Sequence, residues 1–270
     1  MTRIVITDLD GTLLHSLTYS YHPAGPAIQS LRDRNIPLVI CSSKTRAEIE
    51  NWRERLKIDA PFIVENGGAI YIPRHYFPFK PPDSTERNGY DVIEFGEPYR
   101  GLVQALQSAS RESGCETLGF HQMSVAEICL RTLLPVRDAE MAKQREYDEP
   151  FEILGVGAHN LLSAIEQRGK RWTRGDRLYH ITGAHDKALA VRRLISLYAT
   201  AYGRVTSIGV GNGHNDADFL KCVDAPIIVR SRYTVSLAKK VPNALVTNSP
   251  GPFGWKEGIQ KTLGAGSAAA

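Results

Sequence analysis

Five short runs of mostly apolar residues, separated by stretches long enough to form helices, constrain the fold of this chain more than any other feature. The runs cover residues 4–7, 37–41, 62–64, 205–210 and 225–229. Parallel strands need long crossover connections, and with both faces covered they read as continuous rather than alternating apolar runs. Helices are predicted at 24–34, 45–56, 187–201, 215–222 and 233–240. The pattern therefore predicts an α/β fold built on a parallel sheet.

A second module interrupts this pattern. After the Pro-rich segment "YFPFKPPDST", the sequence predicts strands at 91–95 and 151–154, helices at 99–112, 124–133, 136–147 and 158–168, and a hairpin-like pair ending at Ile181. We therefore predict an α+β cap (84–178) inserted into a catalytic core (1–83 and 179–263). Residues 264–270, "GAGSAAA", offer little to pack and are predicted to form a frayed tail.

The charge and cysteine content argue against several classes of function. A formal net charge of +4 is too small and too dispersed to predict binding to nucleic acid. No apolar run approaches the ~20 residues that span a bilayer, and the N-terminus lacks a basic flank followed by an apolar signal core. The four cysteines form no CxxC pair and are predicted to be reduced. We expect a cytoplasmic protein with no membrane partner, whose oligomeric state the sequence leaves open.

Two carboxylates stand at the end of the first predicted strand, in "IVITDLDGTL". Asp8 and Asp10 can reach the same side of the strand end, where a cation or a shared proton has to offset their repulsion. Carboxylate and carbonyl oxygens are the ligands that Mg²⁺ prefers. One acid can attack phosphorus as a nucleophile while the other moves protons, and Thr12 could offer its hydroxyl and amide to the phosphoryl oxygens. In a bare DxD pair, however, Asp8 would more often be a helix cap and Asp10 a solvated acid.

Three further motifs follow other predicted elements. "CSSKTRAE" places Ser42 and Ser43 before a helix whose free amides can bind an anion, and "HDKALAV" places Lys187 at a helix start, where a surface lysine would oppose the helix dipole. Each could also be an ordinary cap or a solvated side chain. The Gly-rich turn of "SIGVGNGHNDADFL" carries Asn212, Asn215, Asp216 and Asp218.

In this order, the motifs resemble those of the haloacid dehalogenase superfamily of phosphohydrolases, over nearly the whole chain. The resemblance implies a Rossmann-like core with an inserted cap. It implies that Asp8 is the nucleophile and Asp10 the acid/base, and that Lys187 neutralises the phosphoryl group. The group is then bound by residues of the first, second and last motifs: Thr12, Ser42, Ser43 and Asn215. By the same resemblance, Mg²⁺ is held by Asp8, the carbonyl of Asp10, Asn212 and Asp216.

Two positions depart from the pattern of that superfamily. Related enzymes carry an acid in the last motif where this chain has Asn212, and an amide brings an oxygen ligand without charge. We therefore expect weaker metal binding unless Asp216 or Asp218 compensates. The second departure is Ala188, which follows Lys187 where a glycine is common.

Segments outside the shared motifs resemble the family of mannosyl-3-phosphoglycerate phosphatases, above all "AKQREYDEPF". This resemblance implies a phosphatase that acts on mannosyl-3-phosphoglycerate through an aspartyl-phosphate intermediate, with the glucosyl analogue as a second substrate. Arg145 is the predicted partner of the substrate carboxylate, because a guanidinium binds a carboxylate in bidentate fashion. Gln144, with Glu146, is predicted to meet sugar hydroxyls, and Asn66 and Gly67 are predicted to face the crevice.

Three alternatives stay open at this point. The chain could hydrolyse another sugar phosphate or a nucleotide monophosphate, because the core motifs do not select the ester. Asn212 also leaves room for a phosphosugar-binding protein with weakened catalysis. A phosphomutase would form the same covalent intermediate, in which the nucleophilic aspartate carries the phosphoryl group. It would differ from a phosphatase in the access of water to that intermediate.

Overall fold

The computed structural model describes residues 2–175 and 177–265. Its larger sheet has nine strands in these residues, in the spatial order β13-β12-β11-β1-β2-β3-β4-β6-β5. With strands numbered in chain order, they are β1 (Thr2–Thr7), β2 (Leu38–Cys41), β3 (Phe62–Val64), β4 (Ala69–Pro73), β5 (Thr85–Arg87), β6 (Tyr90–Glu94), β11 (Val205–Gly211), β12 (Ala225–Arg230) and β13 (Leu245–Pro250).

The strands from β13 to β3 are parallel, and β4, β6 and β5 continue the sheet in antiparallel pairs. The five predicted strands all lie in the parallel part, so the predicted α/β class is confirmed. The strand predicted at 91–95 was placed in the cap, and this placement is wrong. It pairs with β4, which returns directly from β3, because a short hairpin extends the sheet without a crossover.

Ten helices occur in the described residues. They are α1 (Gly25–Asp33), α2 (Arg46–Leu56), α3 (Tyr99–Ser113), α4 (Val125–Thr132), α5 (Val136–Ala142), α6 (Ala158–Gln167), α7 (Lys187–Tyr202), α8 (Ala217–Leu220), α9 (Thr234–Lys240) and α10 (Gly251–Ala265). The predicted helix at 136–147 is wrong beyond Ala142, where the chain leaves the helix for the next strand. The predicted tail begins two residues early, because α10 runs to Ala265; residues 266–270 lie outside the described part.

Apolar side chains fill both faces of the nine-stranded sheet. Val5 and Trp255 belong to the cluster on one face, and Ile4 and Leu194 belong to the cluster on the other. This alternation of neighbouring side chains along β1 is what a sheet covered on both faces requires. The arrangement leaves the ends of the strands as the place where polar groups can gather.

The cap contains a four-stranded antiparallel sheet in the order β7-β8-β10-β9, where β7 is Thr117–Gly119, β8 Asp148–Ile153, β9 Arg171–Arg174 and β10 Tyr179–Thr182. Side chains of α3 and α6 form a separate apolar cluster with it, including Leu106, Phe151 and Leu161. The predicted boundary at residue 179 therefore moves, because β10 hydrogen-bonds to β8 and β9 rather than to the core sheet. In the described part of the chain, no helix combines the length and hydropathy needed to cross a membrane.

Candidate active site

A cavity of about 380 Å³ lies between the carboxyl ends of the core strands and the cap. Three adjacent parallel strands, β2, β1 and β11, end at its floor, so that Asp8 and Asp10, Ser43 and Asn212 line it. The cap contributes Arg145 and His180 to the walls, along with other residues. This is where open parallel sheets gather their reactive groups, because loops that follow parallel strands converge at one edge.

Asp8 follows β1 directly and is 7% exposed. One carboxylate oxygen, Oδ1, accepts a hydrogen bond of 2.8 Å from the Lys187 ammonium, and Oδ2 accepts one of 3.3 Å from the hydroxyl of Thr12. The pKa of Asp8 is raised to about 7, because burial, opposed by the Lys187 ammonium and assisted by the nearby Asp216, disfavours the charged carboxylate. A cation placed beside Asp8 would therefore favour its ionised, nucleophilic form.

Lys187 is the first residue of α7 and only 1% of its side chain is exposed. The preceding Asp186 caps the helix by accepting from the Leu189 amide at 2.8 Å, which offsets the unfavourable position of a lysine at a helix start. The Nζ atom of Lys187 also donates to Asp216 Oδ1 at 2.7 Å. Burial alone would lower the pKa of Lys187, but Asp216 and Asp8 raise it, so the ammonium stays charged.

Gly67 has a different position from the one predicted for a substrate contact. It has φ +94°, and a Cβ added there would lie 2.2 Å from the carbonyl oxygen of Asp186. Gly67 therefore lets the loop after β3 approach the start of α7, and the prediction that its surface faces the crevice is wrong. Only a residue without a side chain fits between these two backbones.

Asp10 is held by a lysine that the sequence interpretation missed. The Lys44 ammonium lies 3.1 Å from Asp10 Oδ2 and 3.2 Å from Glu48 Oε1, while Asp10 Oδ1 is buried without a hydrogen-bond partner in the described residues. Glu48 also completes a capping box with Thr45 at the start of α2. The T-x-x-E spacing in "KTRAE" was the available signal, because it predicts a fixed acid beside the lysine.

The two predicted phosphate-binding serines are placed differently. Ser43 lines the cavity, whereas Ser42 is 1% exposed and its Oγ accepts from the Lys44 amide at 3.4 Å. The cap of α2 is Thr45, so both serines precede the helix rather than capping it. Ser42 is thus the more enclosed of the two, and Ser43 has the more direct access to a ligand.

The turn after β11 brings Asn212, Asn215 and Asp216 to the site. Asn212 and Asn215 line the cavity. Both oxygens of Asp216 have protein partners, since Oδ1 accepts from Lys187 and Oδ2 accepts from the amides of Asn212 and Gly213 at 2.9 and 2.8 Å. Asp216 thus holds Lys187 and the turn, and metal ligation would require it to give up one of these bonds.

A divalent cation bound at the floor of the cavity would need a neutral side chain as one of its oxygen ligands. The described residues contain no group of three or more His, Cys, Asp or Glu side chains that could hold a metal ion. The side chain of Asn212 lies against Gly11, where a Cβ would come within 2.4 Å of its amide nitrogen, and so stands beside the Asp8–Asp10 segment. Asp218, the other acid in this motif, is 67% exposed and pairs with Lys221 at 2.8 Å. Of the residues predicted to hold Mg²⁺, Asp8, Asp10 and Asn212 line the cavity, and their carboxylate and amide oxygens are donors suited to that ion.

Arg145 lies in the cavity wall, but its guanidinium is committed to protein partners. Its Nε donates to the Ala142 carbonyl at 2.8 Å and its Nη1 to the Ser43 carbonyl at 2.7 Å, and only 5% of the side chain is exposed. Burial alone would lower its pKa, but Asp148 and Glu48 raise it. These two bonds use two of its five N–H donors, so the predicted pairing with a substrate carboxylate would have to use the remaining N–H groups of Nη1 and Nη2.

Gln144 and Glu146 do not line this cavity, which corrects their predicted role. They border a separate depression together with Arg46 and Arg87. They lie in the connection between α5, which ends at Ala142, and β8, which begins at Asp148, rather than on the predicted helix. Asn66, also predicted to face the crevice, is 4% exposed and bonds to Asp148 and Asn215 instead of lining the cavity.

Known proteins resemble this chain in sequence and fold. A model of the haloacid dehalogenase-like hydrolase family matches residues 5–80. A glucosyl-3-phosphoglycerate/mannosyl-3-phosphoglycerate phosphatase of Methanococcoides burtonii is 37% identical over 271 residues, covering 98% of either chain. A mannosyl-3-phosphoglycerate phosphatase of Pyrococcus furiosus is 37% identical over 229 residues, covering 85% of this chain and 91% of the relative. A Bacteroides thetaiotaomicron protein studied among phosphatases of the haloalkanoate superfamily shares the fold, with a TM-score of 0.66, 19% identity and coverage of 98% and 95%.

Proposed function

Because this chain belongs to the family of glucosyl-3-phosphoglycerate/mannosyl-3-phosphoglycerate phosphatases, among the haloacid dehalogenase-like hydrolases, we propose that it removes the phosphate from glucosyl- and mannosyl-3-phosphoglycerate. The observation that carries the proposal is the Asp8–Lys187 pair beside Asp10 in a cavity between core and cap. A phosphatase of this class needs a buried nucleophile, a second acid and a fixed cation at one place.

Asp8 is the nucleophile in this proposal. Its carboxylate oxygen attacks phosphorus, and the bond from phosphorus to the glycerate oxygen breaks. Asp10 gives its proton to the departing alkoxide, which leaves as the alcohol. A water molecule, deprotonated by Asp10, then attacks the phosphorus of the aspartyl-phosphate and releases inorganic phosphate, which restores both acids.

The surrounding residues hold the phosphoryl group and its charge. Lys187 offsets negative charge as it develops, and Ser43 and Asn215 line the cavity with hydroxyl and amide groups that can donate to phosphoryl oxygens. The buried hydroxyl of Thr12 donates to Asp8 and holds the nucleophile in place. Bound at Asp8, Asn212 and the Asp10 carbonyl, Mg²⁺ would supply further charge and would hold the phosphoryl oxygens in line. Lys44 keeps the carboxylate of Asp10 in place between the two half-reactions.

The non-phosphate part of the substrate lies towards the cap. Besides Lys44 and Lys187, positive charge in or beside the cavity comes from Arg177, Arg230 and Arg232, which suits a ligand with both a phosphate and a carboxylate. This charge pattern supports a phosphorylated glycerate rather than a phosphate ester that has no second negative group. A cytoplasmic location, with neither nucleic acid nor membrane as a partner, stays a prediction.

A direct test is a panel of phosphate esters assayed for released phosphate, with and without Mg²⁺. The panel contains mannosyl-3-phosphoglycerate, glucosyl-3-phosphoglycerate, a hexose 6-phosphate, a nucleoside monophosphate and p-nitrophenyl phosphate. We expect the two glycosyl-3-phosphoglycerates to give the highest kcat/KM, with activity lost on chelation of the metal. A preference for the hexose or nucleoside phosphate would contradict the proposed substrate. Saturable binding of the glycosides without turnover would instead favour a phosphosugar-binding protein.

A further inference from the structure

A histidine–aspartate pair of the cap faces the cavity and has no part in the proposed chemistry. His180 Nδ1 lies 2.8 Å from Asp148 Oδ1 and 3.1 Å from Oδ2. The two residues stand on adjacent antiparallel strands, where His180 pairs with Pro150 and Asp148 with Thr182, so they are diagonal neighbours on one face. The cap sheet therefore fixes their contact.

Asp148 orients the imidazole ring of His180. Burial alone would raise the pKa of Asp148, but His180, Arg145 and the amide of Asn66 hold it below its usual value. An ionised carboxylate only accepts hydrogen bonds, so His180 Nδ1 must donate. Nε2 is then the ring nitrogen left to hydrogen-bond with a hydroxyl, which can either donate or accept.

Nε2 points away from Asp148 and towards the cavity wall. A Cβ added to Gly175 would lie 3.2 Å from Nε2, and Gly175 and His180 both line the cavity that holds Asp8 and Asp10. The described residues give Nε2 no hydrogen-bond partner, and 9% of the His180 side chain stays exposed. A ligand hydroxyl is the group that this position lacks.

A hydrogen-bond chain ties this pair to the catalytic floor. Asn66 donates from Nδ2 to Asp148 Oδ2 at 2.6 Å, and Asn215 donates from Nδ2 to Asn66 Oδ1 at 3.1 Å. Asn215 belongs to the turn that carries Asn212 and lines the same cavity. The ring of His180 is therefore held at a set position relative to the core.

We propose that His180 determines substrate specificity by forming, at Nε2, a hydrogen bond with a hydroxyl of the sugar, with Asp148 as the residue that positions the ring. This inference rests on the proposed function, because it assigns the contact to the glycosyl part of a glycosyl-3-phosphoglycerate. The phosphate lies at Asp8, so an ester without a sugar would not use His180.

The test compares His180→Asn and Asp148→Asn with the wild type on mannosyl-3-phosphoglycerate, glucosyl-3-phosphoglycerate and p-nitrophenyl phosphate. The asparagine amide at position 180 can replace Nδ1 towards Asp148 but offers nothing at Nε2. We expect KM for the better glycoside to rise about tenfold in His180→Asn, the size of one net hydrogen bond, with kcat/KM for p-nitrophenyl phosphate changed less than about twofold. Asp148→Asn should shift KM in the same direction.

His121→Asn is the matched control. His121 Nδ1 pairs with the buried Glu149 at 2.6 Å in the same cap, but the residue does not line the catalytic cavity. We expect this variant to keep KM for both substrates. His180→Gln serves as a second variant if His180→Asn does not fold, as judged by its thermal unfolding.

Two results would overturn the inference while the proposed function stands. One is an unchanged KM for the glycoside in a folded His180 variant, and the other is an equal loss on the glycoside and on p-nitrophenyl phosphate. Wild-type protein that hydrolyses p-nitrophenyl phosphate but neither glycoside would instead reject the proposed function, and the inference with it.

Discussion

Asn212 brings no negative charge to the end of β11, and the neighbouring acids do not replace the missing one. Asp216 is bonded through both oxygens, and Asp218 points to solvent beside Lys221. The charge of the floor therefore depends on Asp8 and Asp10, which Lys187 and Lys44 already contact. Single residues thus determine how strongly this site attracts a cation, because charge and ligand number tune affinity for hard cations.

Asp8→Asn should abolish turnover while the fold survives. The amide cannot attack phosphorus, and it keeps the size of the carboxylate beside Lys187. Asp10→Asn should lower kcat by roughly 10²–10⁴-fold, because its proton transfers serve both half-reactions. Initial rates, with circular dichroism as the check on folding, measure both effects. Activity above a few per cent in Asp8→Asn would remove Asp8 from the nucleophile role.

Asn212→Asp should tighten binding of Mg²⁺. The substitution adds one negative charge beside Asp8 without a change in side-chain size, so the Mg²⁺ concentration for half-maximal activity should fall while turnover persists. Calorimetric titration of Mg²⁺ into both proteins without substrate gives an independent measure. Identical affinities would place Asn212 outside the metal site and would leave Asp216 as the candidate ligand.

The catalytic groups lie at the ends of strands and at the start of a helix. Asp8, Ser43 and Asn212 follow three adjacent strands, while Lys187 begins a helix. The start of α2 is stabilised by the Thr45–Glu48 capping box, and Glu48 is also the acid that faces the Lys44 ammonium. The helix cap and the orientation of Asp10 therefore depend on one side chain, which makes the stability of α2 relevant to the site.

Glu48→Gln should destabilise the protein at neutral pH by about 3 kcal/mol, because it removes one partner from a buried set of charges. Burial alone would raise the pKa of Glu48, but Lys44, Arg145 and the Thr45 amide hold it below the ordinary 4.5. A lowered pKa means that the stabilisation is present above about pH 4.5 and is lost as the pH falls through the lower folded value.

Urea unfolding of wild type and Glu48→Gln at several pH values measures this difference. The difference in the free energy of unfolding between the two proteins should be largest near pH 7 and should become smaller below pH 4.5. Glu50→Gln is the matched control, because Glu50 forms a half-buried pair with Arg46 on the same helix, whereas Glu48 is buried. A gap that stays constant with pH would show that the charge of Glu48 does not contribute.

The whole molecule is a core and a cap joined by buried polar contacts. Arg145 spans the two through the Ser43 carbonyl of the core and the Ala142 carbonyl of the cap, and Glu65 of the core accepts from the amides of Glu146 and Tyr147. These contacts fix where the cap walls stand above the catalytic acids. The size of the cavity therefore depends on how the core and the cap pack against each other.

Arg145→Ala should impair hydrolysis of a glycosyl-3-phosphoglycerate and of p-nitrophenyl phosphate alike, and should lower stability by about 3–5 kcal/mol. The reason is that it removes the buried guanidinium beside Asp148 and Glu48 and leaves Lys44 as the cation that pairs with Glu48. Steady-state kinetics on both esters and urea unfolding measure the two effects. A loss confined to KM for the glycoside, with stability unchanged, would instead support the predicted bond between Arg145 and the substrate carboxylate.

The sequence by itself determined the class of fold, the family and the place of the acid pair, because each depends on local patterns. Apolar runs of strand length predict the parallel sheet, and "DLDGT" at a strand end marks Asp8 and Asp10. The predicted membership in the haloacid dehalogenase superfamily is confirmed, as is the similarity to mannosyl-3-phosphoglycerate phosphatases.

Only the tertiary structure decided how distant side chains are paired. Lys187 meets Asp8 across 179 positions of sequence, and Arg145 meets Ser43 across 102. The tertiary structure also places β6 in the core sheet, Gln144 outside the cavity and His180 in the cavity wall. These outcomes depend on burial and on competition among hydrogen-bond partners, and neither is encoded in the spacing of residues along the chain.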